Sequence, residues 1–399
     1  MQTLVFGWWH HPDASLAHLA QVATVVGEPI SPQGLDQRFG EAGAELLHAC
    51  LEAAAGQVIT ADPVAAGVLA RFPAVCVLDS TTVSLPDALA PTWPGCGGRV
   101  PQGSQAALKL TVRQDLVRGG LEGPVLSAGR VQDKHSPLQT APLPGGALRL
   151  ADQGYWSLAV LHQIAAGASY FLSRLHCQTT VFVAGAAVDL VPWLRRQRQA
   201  QIDVAVTLGK TVQLPARLLA QRLPKGIADR QLAKLRKDAQ REGETVSARR
   251  LALAGWVLLV TNLPSARLSL PEAVVLGRVR WQIELLFKLW KHDGGLATSR
   301  SVNSWRVLCE VYAKLIALIC QHWLLLVGCW ESTDRSLVRA AAIIRDWVPL
   351  LALEVSHPAR MVATVQLIER FLATSVKIAK RRKHPSAFQL LAEPERGYA

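Results

Sequence analysis

Cysteine is scarce in this chain. The seven residues, at 50, 76, 96, 177, 309, 320 and 329, are odd in number and show neither a CxxC pair nor a Cys/His ligand spacing. That excludes a disulfide framework, argues against a zinc site and points to free thiols in a reducing compartment. No signal peptide opens the sequence, no stretch repeats, and no segment is of low complexity. A clean membrane span is missing too. The greasiest window, Val307 to Trp330, carries Glu310, Lys314, Gln321 and His322, each costly in hydrocarbon. It reads as a buried core helix, so no membrane partner is expected and the setting is cytoplasmic. Acids are also in short supply: 30 Asp and Glu against 43 Lys and Arg give +13 and a pI near 9.8. That balance favours an anionic partner such as nucleic acid, although membrane-surface proteins share it.

What is present is ample material for a core. The chain has 399 residues, 50% of them hydrophobic, enough for two or three domains. Residues 1–70 read as helices, with Ser31 as N-cap and Pro32 at the first helical position of one of them. Gln33, Gln37 and Arg38 would be exposed there and able to reach base edges, so a helix-turn-helix competes with two ordinary packed helices.

The stretch Arg278 to Lys291 has no internal Gly or Pro and reads as one helix. At about 100° per residue, Arg280, Glu284 and Lys291 fall within roughly 40° of one another, with Lys288 roughly 40° further round. Ile283, Leu285, Leu286, Leu289 and Trp290 fill most of the remaining circumference. Such a helix should be buried. One acid and three bases on its polar stripe suit a divalent metal beside a phosphate; a solvated Arg-Glu-Lys face is the plainer alternative.

Two apolar runs of strand length end in acids. Ala74 to Leu78 leads into Asp79-Ser80-Thr81-Thr82, and Ala147 to Ala151 leads into Asp152-Gln153-Gly154-Tyr155. A carboxylate at the tip of a buried strand is costly unless it is paired or binds metal, and ligands gather at strand ends in sheets of this kind. Each Asp alone is more often a turn residue or helix cap; jointly, with a third acid on a buried helix, the metal reading wins. Between the two runs, Leu108 to Asp115 and Val125 to Val131 alternate like a hairpin around Arg118-Gly119-Gly120; beyond the second run, Tyr170 to Leu175 reads as a further strand. Residues 195–250 hold 14 Lys and Arg against 5 Asp and Glu, so most of the net charge sits there. Ile227 to Glu242 looks like an exposed charged helix flanked by looser sequence, suited to a phosphate backbone or merely to water. Trp256 to Val260 returns to strand-like sequence. A final helix is expected from Ala359 to Lys383, closing on Lys377, Lys380, Arg381, Arg382 and Lys383.

Three of these segments carry a resemblance. Arg280-x3-Glu284-x6-Lys291 resembles the signature around the third catalytic acid of the insertion-sequence-four family of DDE transposases, except that the family's Tyr three residues before the Arg is here Gly277. Leu78-Asp79-Ser80-Thr81-Thr82, followed by Leu85-Pro86 and the glycine-rich Pro94 to Gly98, resembles its first-acid segment. Ala151-Asp152-Gln153-Gly154-Tyr155 resembles its second. The acids lie 73 and then 132 residues apart, and the longer gap is similar to that of members with an inserted domain.

The resemblance implies an α/β fold: an RNase H-like mixed sheet flanked by helices, with a helical N-terminal domain, an inserted basic subdomain and a helical C-terminus. The expected boundaries are 1–70 for a DNA-binding domain, 71–176 and 256–330 for the core, 177–255 for the insertion and 331–399 for the C-terminal region. It implies Asp79, Asp152 and Glu284 as ligands of two Mg2+ or Mn2+ ions, consistent with hard cations preferring oxygen. It implies DNA contacts for Arg280, Lys288, Lys291 and, with less specificity, Arg174. Trp256 would receive a base flipped from the duplex, core packing being its other reading. The expected activity is cleavage at transposon ends and strand transfer, on double-stranded DNA comprising terminal inverted repeats and a target, by a homodimer associated with the nucleoid. Two other readings stay open: a decayed or domesticated member that binds DNA as a repressor, and a glycoside hydrolase using paired acids.

Overall fold

The first strand, β1 (Val75–Leu85), is longer than the run Ala74 to Leu78 suggested. Thr81, Thr82 and Val83 are β-branched and extend it through Asp79, so this acid lies within the strand and not at its tip. The computed structural model describes residues 1–64, 66–96, 105–243, 245–299, 301–378 and 386–393. Gly97 and Gly98 of the glycine-rich loop, and Arg300, lie outside that set. The chain forms two units, each assembled from three segments: Met1–Ala65, Asp79–Leu138 and Trp281–His384 in one; Ala66–Leu78, Gln139–Arg280 and Pro385–Ala399 in the other. β1 passes from the second unit into the first between Leu78 and Asp79.

The second unit holds most of a ten-stranded mixed sheet. From β1 the order runs through β4 (Leu148–Ala151), β5 (Tyr170–Arg174), β10 (Trp256–Thr261), β9 (Leu214–Arg222), β8 (Gln201–Leu208), β6 (Val181–Val183) and β7 (Ala186–Val188). β1, β4 and β5 are parallel and buried, and the rest are antiparallel. Helix α5 (Leu158–Ala166) joins β4 to β5 as the crossover that parallel strands need. Phe171, Leu190, Leu208, Leu218 and Val260 anchor the hydrophobic cluster of this unit. Helix α9 (Leu270–Val279) packs against β5, β9 and β10; Ser269 and Glu272 cap it reciprocally, and Pro271 sits in its first turn.

The region from 177 to 255 is more ordered than its charge suggested. Besides the charged helix α7 (Lys225–Glu242), it contains α6 (Leu190–Arg196), α8 (Ala248–Leu253) and four strands of the sheet. Ile202, Val206 and Leu208 turn inward from β8, a period-two signal that the surrounding Lys and Arg obscured.

In the first unit, β2 (Ala106–Asp115) and β3 (Leu121–Ala128) form the expected hairpin and give the order β3-β2-β1. Helices α1 (Gln2–His10), α2 (Leu16–Val25), α3 (Pro32–Asp36) and α4 (Glu41–Ala55) precede it in the chain. α10 (Gln282–Lys288), α11 (Ser304–Cys329), α12 (Leu337–Glu354) and α13 (Pro358–Ser375) complete the unit. α13 stops short of the helix expected to reach Lys383. Lys377 pairs by backbone with Arg335, and Lys380, Arg381, Arg382 and Lys383 lie outside the described residues. The short α14 (Ala387–Ala392) belongs to the second unit and packs on α9.

α11 is the centre of the first unit, in contact with α1, α4, α12 and α13. It is long and apolar enough to cross a bilayer, yet 78% of its most apolar window is buried inside the fold. Its polar groups are matched there. Trp9 Nε1 donates to Gln321 Oε1 at 3.2 Å, and His322 Nε2 lies 2.8 Å from the Gly119 carbonyl oxygen. That carbonyl needs a donor, so His322 is the neutral Nε2–H tautomer. Burial pushes its pKa down to about 4. The unfolded chain binds this proton from about pH 6.5 while the folded chain refuses it down to about 4. Between those values the unfolded state therefore holds more protons, and stability falls with acidification by up to about 3 kcal/mol. Urea midpoints measured from pH 7 to pH 4.5 should fall more steeply for wild type than for His322→Gln; equal slopes would remove His322 as the cause.

Candidate functional site

The single helix expected over 278–291 is interrupted. α9 ends at Val279, Arg280 and Trp281 form a turn, α10 runs from Gln282 to Lys288, and a π-helical turn follows over Leu289–Asp293. The physical reason lies in what each piece buries. α9 places Ala273, Val275, Leu276 and Val279 in the core of the second unit, whereas α10 places Ile283, Leu286 and Phe287 in that of the first. One straight apolar helix cannot serve both. The narrow stripe read from ideal helical angles is therefore replaced by residues on three consecutive pieces of chain.

In the second unit, the ends of β4 and β5 bring Asp152 and Arg174 together. The parallel register pairs Leu78 with Ala151 and Ala151 with Ser173, so Asp152 and Arg174 each follow directly on an aligned residue, and Leu78, in the same row, is the last residue of this unit before Asp79. Asp152 is half-buried. A cleft is lined by Leu150, Ala151, Asp152, Leu172, Ser173, Arg174, Leu259, Gly277 and Arg280. Asp152, Arg174 and Arg280 thus share one concavity, floored by leucines. Gly277 lies on its wall, and a Cβ added there would meet the Leu259 methyls at 3.6 Å, an ordinary contact. The backbone and packing do not demand glycine at this position.

The turn after Asp152 is held from both sides. Gln153 Nε2 donates to the Leu175 carbonyl at 3.0 Å, and Gln139 Nε2 donates to the Tyr155 carbonyl at 2.8 Å. Gln139 Oε1 in turn accepts from the guanidinium of Arg149, a buried residue within β4. Trp256, at the start of β10, packs on the hydrophobic cluster, and the Arg222 guanidinium sits 4.7 Å above its ring. Both of its expected roles meet that fact: one side of the indole is core, and a cation lies over the ring.

The first unit carries Asp79, Glu284, Lys288 and Lys291. Asp79 is half-buried and its Oδ1 accepts the Ser80 N–H at 2.8 Å. Ser80 Oγ donates to Asp133 Oδ1 at 2.8 Å, and Lys109 Nζ donates to the same oxygen at 2.9 Å. Nothing in the local sequence pattern links Asp133 or Lys109 to β1, so neither stands out without the structure. Glu284 is half-buried in the first turn of α10. Lys288 is exposed, its ammonium 5.0 Å from the centre of the Trp281 ring. Lys291 sits in the π-helical turn, and burial holds its pKa below the usual lysine value. π turns of this kind recur at functional positions. The Asp293 carbonyl that ends this one accepts from the Arg345 guanidinium.

Half-buried carboxylates from a strand, a strand end and a helix are hard oxygen donors of the kind that hold Mg2+ or Mn2+. Residues 70–320, which contain all three acids, match the family described as transposase DDE domain. The chain is 28% identical over 320 residues to the transposase for insertion sequence element IS231F of Bacillus thuringiensis subsp. israelensis, covering 75% of this chain and 66% of that protein. It is 26% identical over 402 residues to the transposase of IS231C from subspecies berliner, covering 93% and 82%. The transposase of IS1151 from Clostridium perfringens is 22% identical over 341 residues, covering 79% and 72%.

Proposed function

The chain belongs to the family of transposase DDE domains, and from that premise we propose that it is the transposase of an insertion sequence, cutting DNA at the element's ends and joining them to a target. The observation that carries this reading is the match over residues 70–320 to that family, a span that includes Asp79, Asp152 and Glu284. The β1–β4 register supports it: Asp79 and Asp152 each follow directly on a residue of the aligned pair Leu78 and Ala151.

In this reading Asp79, Asp152 and Glu284 would hold two divalent ions, which would supply activation of the attacking oxygen and neutralisation of charge on the scissile phosphate. The protein's own residues do the rest. Arg280 and Arg174, beside Asp152 in the cleft, hold phosphates next to the cut. Lys288 and Lys291, on the first unit, would contact phosphates as well. Lys291 enters the site with less solvation to lose than a surface lysine. Trp256 stacks on an extruded base only where Arg222 gives up its place over the ring. Gly277, against Leu259, stands where the family carries Tyr.

The helices of residues 1–70 bind the terminal repeats, the charged α7 follows the phosphate backbone, and two copies synapse two ends in a cytoplasmic, nucleoid-associated complex. The test is a supercoiled plasmid carrying the element's own ends. With Mg2+ the wild-type protein should nick at those ends, and EDTA should abolish nicking while leaving binding intact. Binding without cleavage at any concentration of Mg2+ or Mn2+ would establish a DNA-binding protein instead.

A further inference from the structure

Three imidazoles meet at the elbow between α1 and α2. His10 is the last residue of α1, His11 is its C-cap, and His18 lies in the first turn of α2, where its N–H donates to Ser15 Oγ at 3.2 Å. The rings of His10 and His11 are centred 4.0 Å apart, and those of His11 and His18 4.5 Å apart. One donor nitrogen from each lies within 4.8 Å of the others. His18 Nε2 is buried without a hydrogen-bond partner. That costs free energy unless something else occupies the nitrogen.

We propose that these three histidines form a binding site for one transition-metal ion, zinc(II) foremost, separate from the carboxylates of the proposed cleavage site. Neutral imidazole suits zinc, nickel and copper, and it is a poor ligand for Mg2+. Burial and the neighbouring rings hold His10 and His18 below the usual histidine pKa, leaving lone pairs available at neutral pH. From α12, Asp346 raises the proton affinity of His10 and Arg345 lowers it, so one acid and one base face the cluster from that helix. Nitrogens on a zinc tetrahedron lie about 3.3 Å apart, given bonds of about 2.0–2.1 Å. The three nitrogens therefore have to draw in by about 1.5 Å at most for the ion to bind. The fourth position remains for water or a small anion. The ion would clamp the end of α1 to the start of α2.

Tag-free protein, stripped with chelator and returned to buffer containing excess Mg2+, is titrated with Co2+ and then Zn2+. One Co2+ per chain should give the visible spectrum of a tetrahedral nitrogen site and be displaced by Zn2+. His11→Asn, at an exposed position, and His18→Gln should each weaken binding at least tenfold without altering the circular dichroism spectrum. Glu284→Gln should leave binding unchanged. Absence of stoichiometric Co2+ binding, binding that survives both histidine substitutions, or loss confined to Glu284→Gln overturns the proposal. Should His18→Gln fail to fold, His11→Asn with the zinc-induced rise in Tm decides alone.

Discussion

Glu284→Gln is expected to reduce end cleavage by about three orders of magnitude, equivalent to roughly 4 kcal/mol of transition-state stabilisation. Glutamine keeps the shape of the side chain and the helical preference of α10, and Ile283, Leu286 and Phe287 stay buried on the same helix. What it removes is the negative charge that a divalent ion needs. Ends should therefore still be bound and protected by the mutant, and its melting temperature should stay near that of wild type. The readout is the rate of nicking of end-bearing plasmid at saturating Mg2+. Cutting at the wild-type rate would remove Glu284 from the chemistry, whereas loss of both binding and cutting would point to a folding defect. Mn2+ is the informative second condition, because a looser ion tolerates a weaker ligand set and should restore a fraction of the rate.

Lys314→Ala should destabilise the first unit by about 3–5 kcal/mol, the range for breaking one side of a buried ion pair. The ammonium is 1% exposed, and all three of its donors are used: Gly295 O at 2.8 Å, Thr298 O at 3.0 Å and Glu310 Oε1 at 2.7 Å. The other Glu310 oxygen accepts from Ser299 Oγ at 2.7 Å. Removing the lysine strands the buried Glu310 carboxylate and the buried Gly295 carbonyl, while the part-buried Thr298 carbonyl can turn to water. A double substitution, Lys314→Met with Glu310→Leu, should recover most of the loss, since the uncompensated charge goes with its partner. Urea denaturation at neutral pH measures both, and a single-mutant loss below about 1 kcal/mol would mean that the carbonyls find other donors. The same lysine fixes residues 295–299, a few positions beyond the π-helical turn that carries Lys291. Any defect in DNA contact at that lysine should therefore appear in partly folded Lys314 variants first.

The strand end at Asp152 was readable from the sequence because the apolar run Ala147 to Ala151 stops at it, although that run alone did not separate a ligand from a turn residue. Asp79 was readable as a residue but not as a position: the strand continues past it on β-branched side chains that a search for apolar runs does not count. Glu284 stood out for its basic neighbours, yet its helix was drawn too long. Helical periodicity records which faces are apolar and says nothing about which core each turn of the helix will enter. The residues that position the site were the least visible. Asp133 meets Ser80 across 53 residues of sequence, and Gln139 reaches Arg149 and Tyr155 through side-chain amide bonds that follow no spacing rule. The three histidines were overlooked for a related reason: His10, His11 and His18 become neighbours only when a helix ends and the next begins at the intervening elbow.

Each unit is stitched from three separated lengths of chain, and their order alternates along the sequence. The helices α10 to α13 of the first unit all lie beyond residue 281, so its core closes only after the ribosome has delivered them. The hydrophobic cluster of the second unit draws on residues 160–260 and is available earlier. A nascent chain stopped between those points would leave the N-terminal helices and the β2–β3 hairpin open to proteases.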